Sequence, residues 1–263
     1  MSDTWRFIDT GPCSASYNMA LDEAIAIAVR GDSEPPTLRV YGWTAPSVSI
    51  GCFQRAADVD VEYCIENHIP IVRRPTGGRG ILHGDELTYS FSSKNEGLFS
   101  NGLLDSYRQI GLAFKSALAL LGLDVSTKTE RESGRNLTRS ALCFHSTSYG
   151  ELTLLNRKII GSAQKRWKDG LLQQGSVPYS INEESSRRIF NLDADVDVND
   201  RMIGLRKAVP HLDPVMLKEA IRLSFEKVFR IRFRCSHLSP EEALLAQELE
   251  ARRYRSAEWN FQR

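Results

Sequence analysis

One short run concentrates residues able to do chemistry: Arg73-Arg74-Pro75-Thr76-Gly77-Gly78-Arg79-Gly80-Ile81-Leu82-His83. Three glycines among the four residues 77–80 open backbone conformations that side chains resist, and let a ligand approach the main chain closely. Exposed N–H groups in such a loop bind anions or carbonyl oxygens. Arg73, Arg74 and Arg79 add positive charge and forked donors. A tight turn with solvated arginines is the simpler reading of the same residues. The spacing matches neither G-x-x-x-x-G-K-[ST] nor G-x-G-x-x-G, so no standard phosphate-binding loop is implied. The nucleophiles are five cysteines, Cys13, Cys52, Cys64, Cys143 and Cys235. Their odd number and the lack of any C-x-x-C pair argue against a disulfide scaffold and a zinc ribbon. A free thiol is most often a small buried hydrophobe, and a reactive one needs electropositive surroundings. His145 stands two positions from Cys143 and would share its face on a strand. Asp85-Glu86 lacks the further ligands of a metal site.

The composition bounds what such residues can serve. The chain has 263 residues, 41% hydrophobic and 25% charged. That is ordinary for a globular protein able to bury a core. Lys plus Arg is 34, Asp plus Glu is 33, and the net charge is +1. This balance argues against a dedicated nucleic-acid binder. No apolar run reaches transmembrane length. The start, Met1-Ser2-Asp3-Thr4-Trp5-Arg6, has no charged-then-apolar export design, so a reducing cytoplasm is expected.

The elements that must position these residues follow from periodicity. Residues 17–29 read as a helix with Met19, Leu21, Ala24, Ile25 and Ala28 apolar, capped by Ser14 or Ser16. Residues 37–43 and 47–52 read as strands joined by Thr44-Ala45-Pro46, and residues 58–67 as a helix. Residues 69–74 form a strand entering the glycine loop, and LTYSFS at 87–92 alternates as a strand does. Residues 103–121 give the clearest helix, with Tyr107, Ile110, Phe114, Ala117, Leu118 and Leu121 on one face and Gly122 as its stop. A polar loop is expected over 128–140, then strands over 141–145, 149–155, 158–164 and 171–179, with a tight turn at Asn156-Arg157. Residues 182–212 read as a charged surface segment. A helix opens at Asp213-Pro214 with Leu217, Ile221, Phe225 and Val228 inward. Ser239-Pro240-Glu241-Glu242 is a capping box before a last helix carrying Ala243, Leu244 and Leu249. Strands and helices mix without strict βαβ alternation. The expectation from the elements is therefore α+β rather than a doubly wound sheet, with no composition break strong enough to mark two domains.

The glycine run, R-R-x-T-G-G-R-x-x-x-H here, resembles the signature of the lipoate ligase and octanoyltransferase family, within the biotin/lipoate protein ligase superfamily. Asn18-Met19-Ala20-Leu21-Asp22 resembles that family's first helix. Arg157-Lys158-Ile159-Ile160-Gly161-Ser162-Ala163-Gln164 resembles its central segment, and the likeness runs on through Gly175-Ser176-Val177-Pro178 and weakly to Glu258-Trp259-Asn260. The resemblance implies a lipoate/biotin-ligase-type α+β catalytic fold, a mixed and mainly antiparallel sheet flanked by helices in one catalytic domain over 1–263, with Arg73, Arg74, Thr76, Gly77, Gly78, Arg79, His83, Gly161, Ser162 and Ala163 around the acyl chain and its thioester. His83 either packs behind the loop or contacts the donor.

Within that family ligases pass acyl groups through an adenylate, and transferases take octanoate from a thioester, which a cysteine can hold. The run from Leu142-Cys143-Phe144 to Lys158 resembles the cysteine-dependent octanoyl-[acyl-carrier-protein]:protein N-octanoyltransferases, and Cys143 precedes Lys158 by the same 15 positions. Gly77-Gly78-Arg79 also resembles the transferases, since ligases more often carry a third glycine. An acyl thioester is already activated, a thiolate can accept it, and a nearby ammonium stabilises that thiolate. The resemblance thus implies Cys143 as acyl carrier and Lys158 as its activator. It implies octanoyl-acyl carrier protein as donor, and as acceptors lipoyl domains of 2-oxoacid dehydrogenases and the glycine cleavage H protein. No metal or other cofactor, nucleic acid or membrane is implied. The rival readings are an ATP-dependent ligase, a transferase drawing octanoate from H protein, and a non-catalytic carrier-protein binding module.

Overall fold

The structure, a computed structural model, describes residues 3–127, 151–193 and 195–263. The strands are β1 (Thr4–Cys13), β2 (Thr37–Trp43), β3 (Ser47–Ile50), β4 (Ile71–Arg73), β5 (Ile81–His83), β6 (Glu86–Lys94), β7 (Ser126–Thr127), β8 (Leu152–Leu154), β9 (Arg157–Lys158), β10 (Gly161–Arg166), β11 (Gly170–Pro178) and β12 (Arg232–Cys235). The helices are α1 (Ala15–Arg30), α2 (Val61–Glu66), α3 (Leu103–Leu120), α4 (Glu183–Ile189), α5 (Leu205–Ala208), α6 (Pro214–Phe229), α7 (Pro240–Leu249) and α8 (Ala257–Asn260). The main sheet has the order β10-β11-β6-β2-β1-β12. Its β12, β1 and β2 are parallel neighbours, while β2, β6, β11 and β10 pair antiparallel. A small sheet, β4-β3-β5, and a ribbon, β7-β8-β9, complete it. The expected α+β architecture holds.

Alternation along the central strands gives the main sheet two different buried faces. Leu38 and Val40 of β2, Leu87, Tyr89 and Phe91 of β6, and Leu171 and Val177 of β11 enter one apolar core with Phe114 of α3 and Phe225 of α6. The intervening residues are polar yet buried: Arg39, Thr88, Ser90, Gln174 and Ser176. They lie on the side of α1, whose Asp22 accepts four hydrogen bonds. Arg39 Nη1 donates at 2.6 Å, Ser90 Oγ at 2.6 Å, the Tyr41 hydroxyl at 2.8 Å and Gln174 Nε2 at 2.7 Å. A carboxylate has about four acceptor positions, so Asp22 is saturated. Burial, and after it the Asp22 charge, pushes the Tyr41 phenol well above its ordinary value.

The local signals that start the helices act as expected. Ser14 caps α1, Asp213 caps α6, and both halves of the Ser239/Glu242 capping box form at α7. Four expectations need correction. The helix expected over 58–67 is a 3₁₀ turn at Ala56–Asp58 followed by the shorter α2, because Asp60 caps the chain afresh. The hairpin turn between β8 and β9 is Leu155-Asn156, one residue earlier than Asn156-Arg157. Leu154 pairs with Arg157, and both turn residues take positive φ, 51° and 62°, as a two-residue turn requires. Residues 182–212 are no surface segment: Ile189, Phe190, Val198, Met202, Ile203, Leu205 and Leu212 are buried. Leu244 of α7 faces solvent, 68% exposed, while Ala246 is buried. The strand expected over 141–145, the first two residues of that expected over 149–155, and the loop expected over 128–140 lie outside the described residues. Among the described residues, no helix is long and apolar enough to cross a membrane.

Replacing Asp22 by Ala leaves the buried Arg39 guanidinium with neutral acceptors alone, on Thr10 and Asn18, and takes the carboxylate from Gln174. The expected loss of unfolding free energy is about 3–5 kcal/mol. Urea denaturation measures it, and Asp22→Ala combined with Arg39→Met should recover part of the loss.

Candidate active site

The glycine loop joins β4 to β5 and is tied down by its own arginines. Arg74 donates through Nη2 to the carbonyls of Gly77 and Arg79, both at 2.7 Å, and through Nη1 to the carbonyl and hydroxyl of Ser49, at 3.1 and 3.2 Å. Arg73 is wholly buried. Its Nη1 donates to the carbonyls of Gly51 and Gln54, its Nη2 to that of Asn260 and its Nε to that of Trp259. The Asn260 Oδ1 accepts from the Arg73 N–H at 2.8 Å, and Trp259 Nε1 donates to the Arg73 carbonyl at 2.9 Å. The two arginines thus spend their forks on backbone carbonyls that a loop without regular structure leaves unpaired.

Two glycines are required by close approach. A side chain at Gly51 would meet the Gly78 carbonyl oxygen at 1.9 Å, and Gly78 itself has φ +88°. At Gly80 the obstacle is the Phe190 ring at 2.4 Å, so the end of α4 packs against the loop. Thr76 donates to Gln174 Oε1 at 2.8 Å. Because Gln174 donates in turn to Asp22, the loop is linked through β11 to α1.

His83 lies just beyond the loop on β5. Its ring stacks on Trp43 at 3.9 Å between centroids. Its Nδ1 is 2.8 Å from Glu86 Oε1 and its Nε2 is 2.7 Å from Ser49 Oγ. Glu86 also accepts from the hydroxyls of Thr88 and Ser176. Complete burial of Glu86 favours its neutral form. The His83 charge and the hydrogen bonds from His83, Thr88 and Ser176 outweigh that, and its carboxyl is held below the usual value. A carboxylate accepting at Nδ1 leaves Nε2 facing the Ser49 hydroxyl.

Arg74, His83, Gly161, Ser162 and Ala163 come together as walls of one cleft, with Met19, Tyr41, Trp43 and Ile81 as its apolar lining. Thr76 reaches the same place through Gln174, which also lines the cleft. Arg73 stands beneath it, and Arg79 contributes its carbonyl to Arg74. Lys158 is not in the lining of this cleft. It is buried on β9, with Nζ 2.5 Å from Glu151 Oε1. Glu151, Tyr89 and Ser162 border a small adjoining space, and the Tyr89 and Ser162 hydroxyls are 2.7 Å apart. Ser162 therefore stands between the cleft and the space beside the Lys158 partner. Burial is the largest influence on the Tyr89 phenol and pushes it to about 12. Cys143 and His145 lie outside the described residues.

Sequence reasoning passed over Ser49, Glu86, Gln174 and the hub role of Asp22. An acid inside an otherwise apolar helix face pointed to Asp22, and the polar phase of LTYSFS, extended back by two residues, to Glu86; no such signal marked Ser49 or Gln174.

This arrangement is a small cleft, of about 20 Å³, with an apolar lining, a polar back wall and the glycine loop beside it. The chain belongs to the lipoyl protein ligase A/B catalytic domain family, which it matches over residues 14–230. Among its relatives is the octanoyltransferase LipM of Geobacillus kaustophilus, 37% identical with 99% of each chain covered. That of Bacillus subtilis is 34% identical, again over 99% of each. The chain is an enzyme, an acyltransferase. Its fold is that of a lipoate-protein ligase A crystallised with ATP, at a TM-score of 0.83, 23% identity and 99% coverage of both chains. A bipartite lipoate protein ligase from Thermoplasma acidophilum matches at 0.79 and 22%, over 98% of this chain and 96% of that one.

The low Glu86 pKa gives stability a pH signature. A depressed carboxyl stabilises the fold fully above its unfolded value of about 4.3. It loses that contribution as pH falls through the lower folded value. Wild type should therefore lose stability more steeply than Glu86→Gln below about pH 4.3. Denaturant titrations at stepped pH measure the two slopes.

Proposed function

We propose that this chain transfers an octanoyl group from octanoyl-acyl carrier protein to a specific lysine of lipoyl domains, through a thioester on Cys143. The observation that carries the reading is the match to octanoyltransferases along 99% of the chain. The acyl cleft supports it: Met19, Tyr41, Trp43 and Ile81 suit an alkyl chain, which gains by leaving water. The Arg73–His83 loop and Gly161-Ser162-Ala163 enclose that chain in this reading. Arg73, Arg74, Thr76, Gly77, Gly78 and Arg79 shape the loop.

In the first step the Cys143 thiolate attacks the thioester carbonyl. The new S–C bond forms, the bond to the carrier thiol breaks, and that thiol leaves with a proton. In the second step the acceptor amine attacks the acyl-enzyme. A C–N bond forms, the C–S bond breaks, and the cysteine thiol is restored. Lys158 supplies the positive charge that favours thiolate and polarises the carbonyl. Glu151 pairs with that ammonium in a buried place, where an unpaired charge would be costly. Lipoyl domains of 2-oxoacid dehydrogenases and the glycine cleavage H protein are the acceptors. In this reading the reaction takes place in the cytoplasm, and residues 1–263 act as one catalytic domain.

The decisive measurement is an intact-mass spectrum after mixing with octanoyl-acyl carrier protein and no ATP. A gain of one octanoyl group is expected, lost in Cys143→Ala. Lys158→Ala should slow its formation about 100-fold, the scale of one positioned proton-handling group. No gain with intact donor, together with ATP-dependent modification of a lipoyl domain by octanoate, would replace this reading by the ligase. A gain only from octanoyl-H protein would change the donor.

A further inference from the structure

β4 is an edge strand of the small sheet, whose order is β4-β3-β5. On its inner side the Arg74 N–H donates to the Ile50 carbonyl of β3 at 2.9 Å. On its outer side an edge strand leaves main-chain groups that no neighbouring strand meets. At Arg73 two side chains of α8 meet them. Asn260 Oδ1 accepts from the N–H and Trp259 Nε1 donates to the carbonyl, at 2.8 and 2.9 Å. An amide oxygen and an indole N–H thus take the places of a strand's C=O and N–H. The main-chain carbonyls of the same two residues accept from the Arg73 fork, Trp259 from Nε at 3.1 Å and Asn260 from Nη2 at 2.9 Å.

The two residues are themselves held. Asn260 is buried, and its Nδ2 donates to the Tyr254 carbonyl at 2.9 Å. The Arg253 guanidinium lies over the Trp259 ring at 3.7 Å, where the ring face attracts a cation. Arg253 and the Tyr254 hydroxyl both donate to Glu23 of α1, at 2.8 and 2.6 Å. Residues 253–260 therefore brace β4 against α1. From Arg73 two routes lead to the glycine loop. One is the main chain into Arg74, whose fork binds the Gly77 and Arg79 carbonyls. The other is Arg73 Nη1, which binds the carbonyls of Gly51 and Gln54. That turn carries the loop: the Cys52 N–H donates to the Thr76 carbonyl at 2.9 Å, and Gly78 packs on Gly51.

We infer that Trp259 and Asn260 are positioning residues for the transfer: by fixing Arg73 they set the shape of the glycine loop beside the cleft. Neither is among the residues that line the cleft, so their effect passes through Arg73. Loop shape bears on rate because a reacting group displaced by about 1 Å loses on the order of 100-fold. The kinetic half of the inference rests on the thioester-transfer reading, and the structural half on the contacts alone. A pair with a merely structural role would change global stability and leave the rate of the folded enzyme untouched. A positioning pair changes loop and rate together, while the main sheet stays as it was.

The test uses two variants of the full chain. Trp259→Phe keeps an aromatic ring beneath Arg253 and removes the N–H. Asn260→Ala removes the acceptor of the Arg73 N–H. Hydrogen exchange followed by mass spectrometry reads the loop. In both variants peptides over 51–54 and 72–80 should exchange at least about fivefold faster, the scale of one lost buried hydrogen bond. Peptides from β6 and β11 should stay within about twofold of wild type. With octanoyl-acyl carrier protein at saturation, acyl-enzyme should form about tenfold more slowly. Ala220→Gly within α6 is the control for lost stability alone. It should leave both the loop exchange and the acylation rate within about twofold of wild type. Unchanged exchange over 51–54 and 72–80 overturns the inference. So does an equal rise in every peptide, or a wild-type acylation rate in variants whose loop exchanges faster. Failure of the transfer reading is separate: the wild-type chain then forms no acyl-enzyme, and the exchange result alone decides whether the pair holds the loop.

Discussion

A single carboxylate, that of Asp22, organises the polar side of this molecule. Four donors converge on it from three strands, Arg39 and Tyr41 of β2, Ser90 of β6 and Gln174 of β11. None of these groups could be buried at acceptable cost alone. Together they satisfy one another, and in doing so they fix the position of α1 against the sheet. Gln174 then passes the constraint outward to Thr76, so the register of the glycine loop depends on a residue one helix away. A buried network of this kind tolerates little partial occupancy, because each missing partner leaves a desolvated group behind.

The cleft exists because the main sheet has two unlike faces. The side of α3 and α6 is filled by aromatic and aliphatic side chains in close contact, such as Phe91, Phe114 and Phe225. The opposite side carries buried polar groups, Arg39, Ser90 and Gln174 among them, bound to Asp22 of α1, and the small sheet with its loop packs beside them. Arg73 and Arg74 hold that loop by binding carbonyls rather than by facing solvent. His83, clamped between Trp43, Ser49 and Glu86, stands just beyond the loop and borders the cleft.

Much of the fold was legible from local signals. The strand at 37–43, the long helix from 103 and the capping box at Ser239 depend on neighbours within a turn or a pleat, and the structure shows them nearly as read. Four strands escaped notice, among them the two- and three-residue β7 and β5. β1 lacks clean alternation, interrupted by a shift of register between Asp9 and Gly11, and β12 is four residues long. Residues 182–212 were misread because Ile189, Phe190, Val198 and Met202 are scattered among charges, and no period marks them as inward-facing. Their burial is set by the small sheet and loop they pack against.

By itself the sequence determined which short segments become helices and strands, because propensity, capping and periodicity act over a few residues. It also carried the family likeness, with the glycine loop and the Lys158–Ala163 run in their order. Only the tertiary structure decided which of those residues meet. Arg74, His83 and Ser162 share a cleft, while Lys158 turns to Glu151. Arg73 closes on Asn260, 187 residues away. The physical reason is that such partners are mostly backbone carbonyls and buried polar groups brought together across long loops. A carbonyl is identical at every position of the sequence, and only the path of the chain makes one of them a partner.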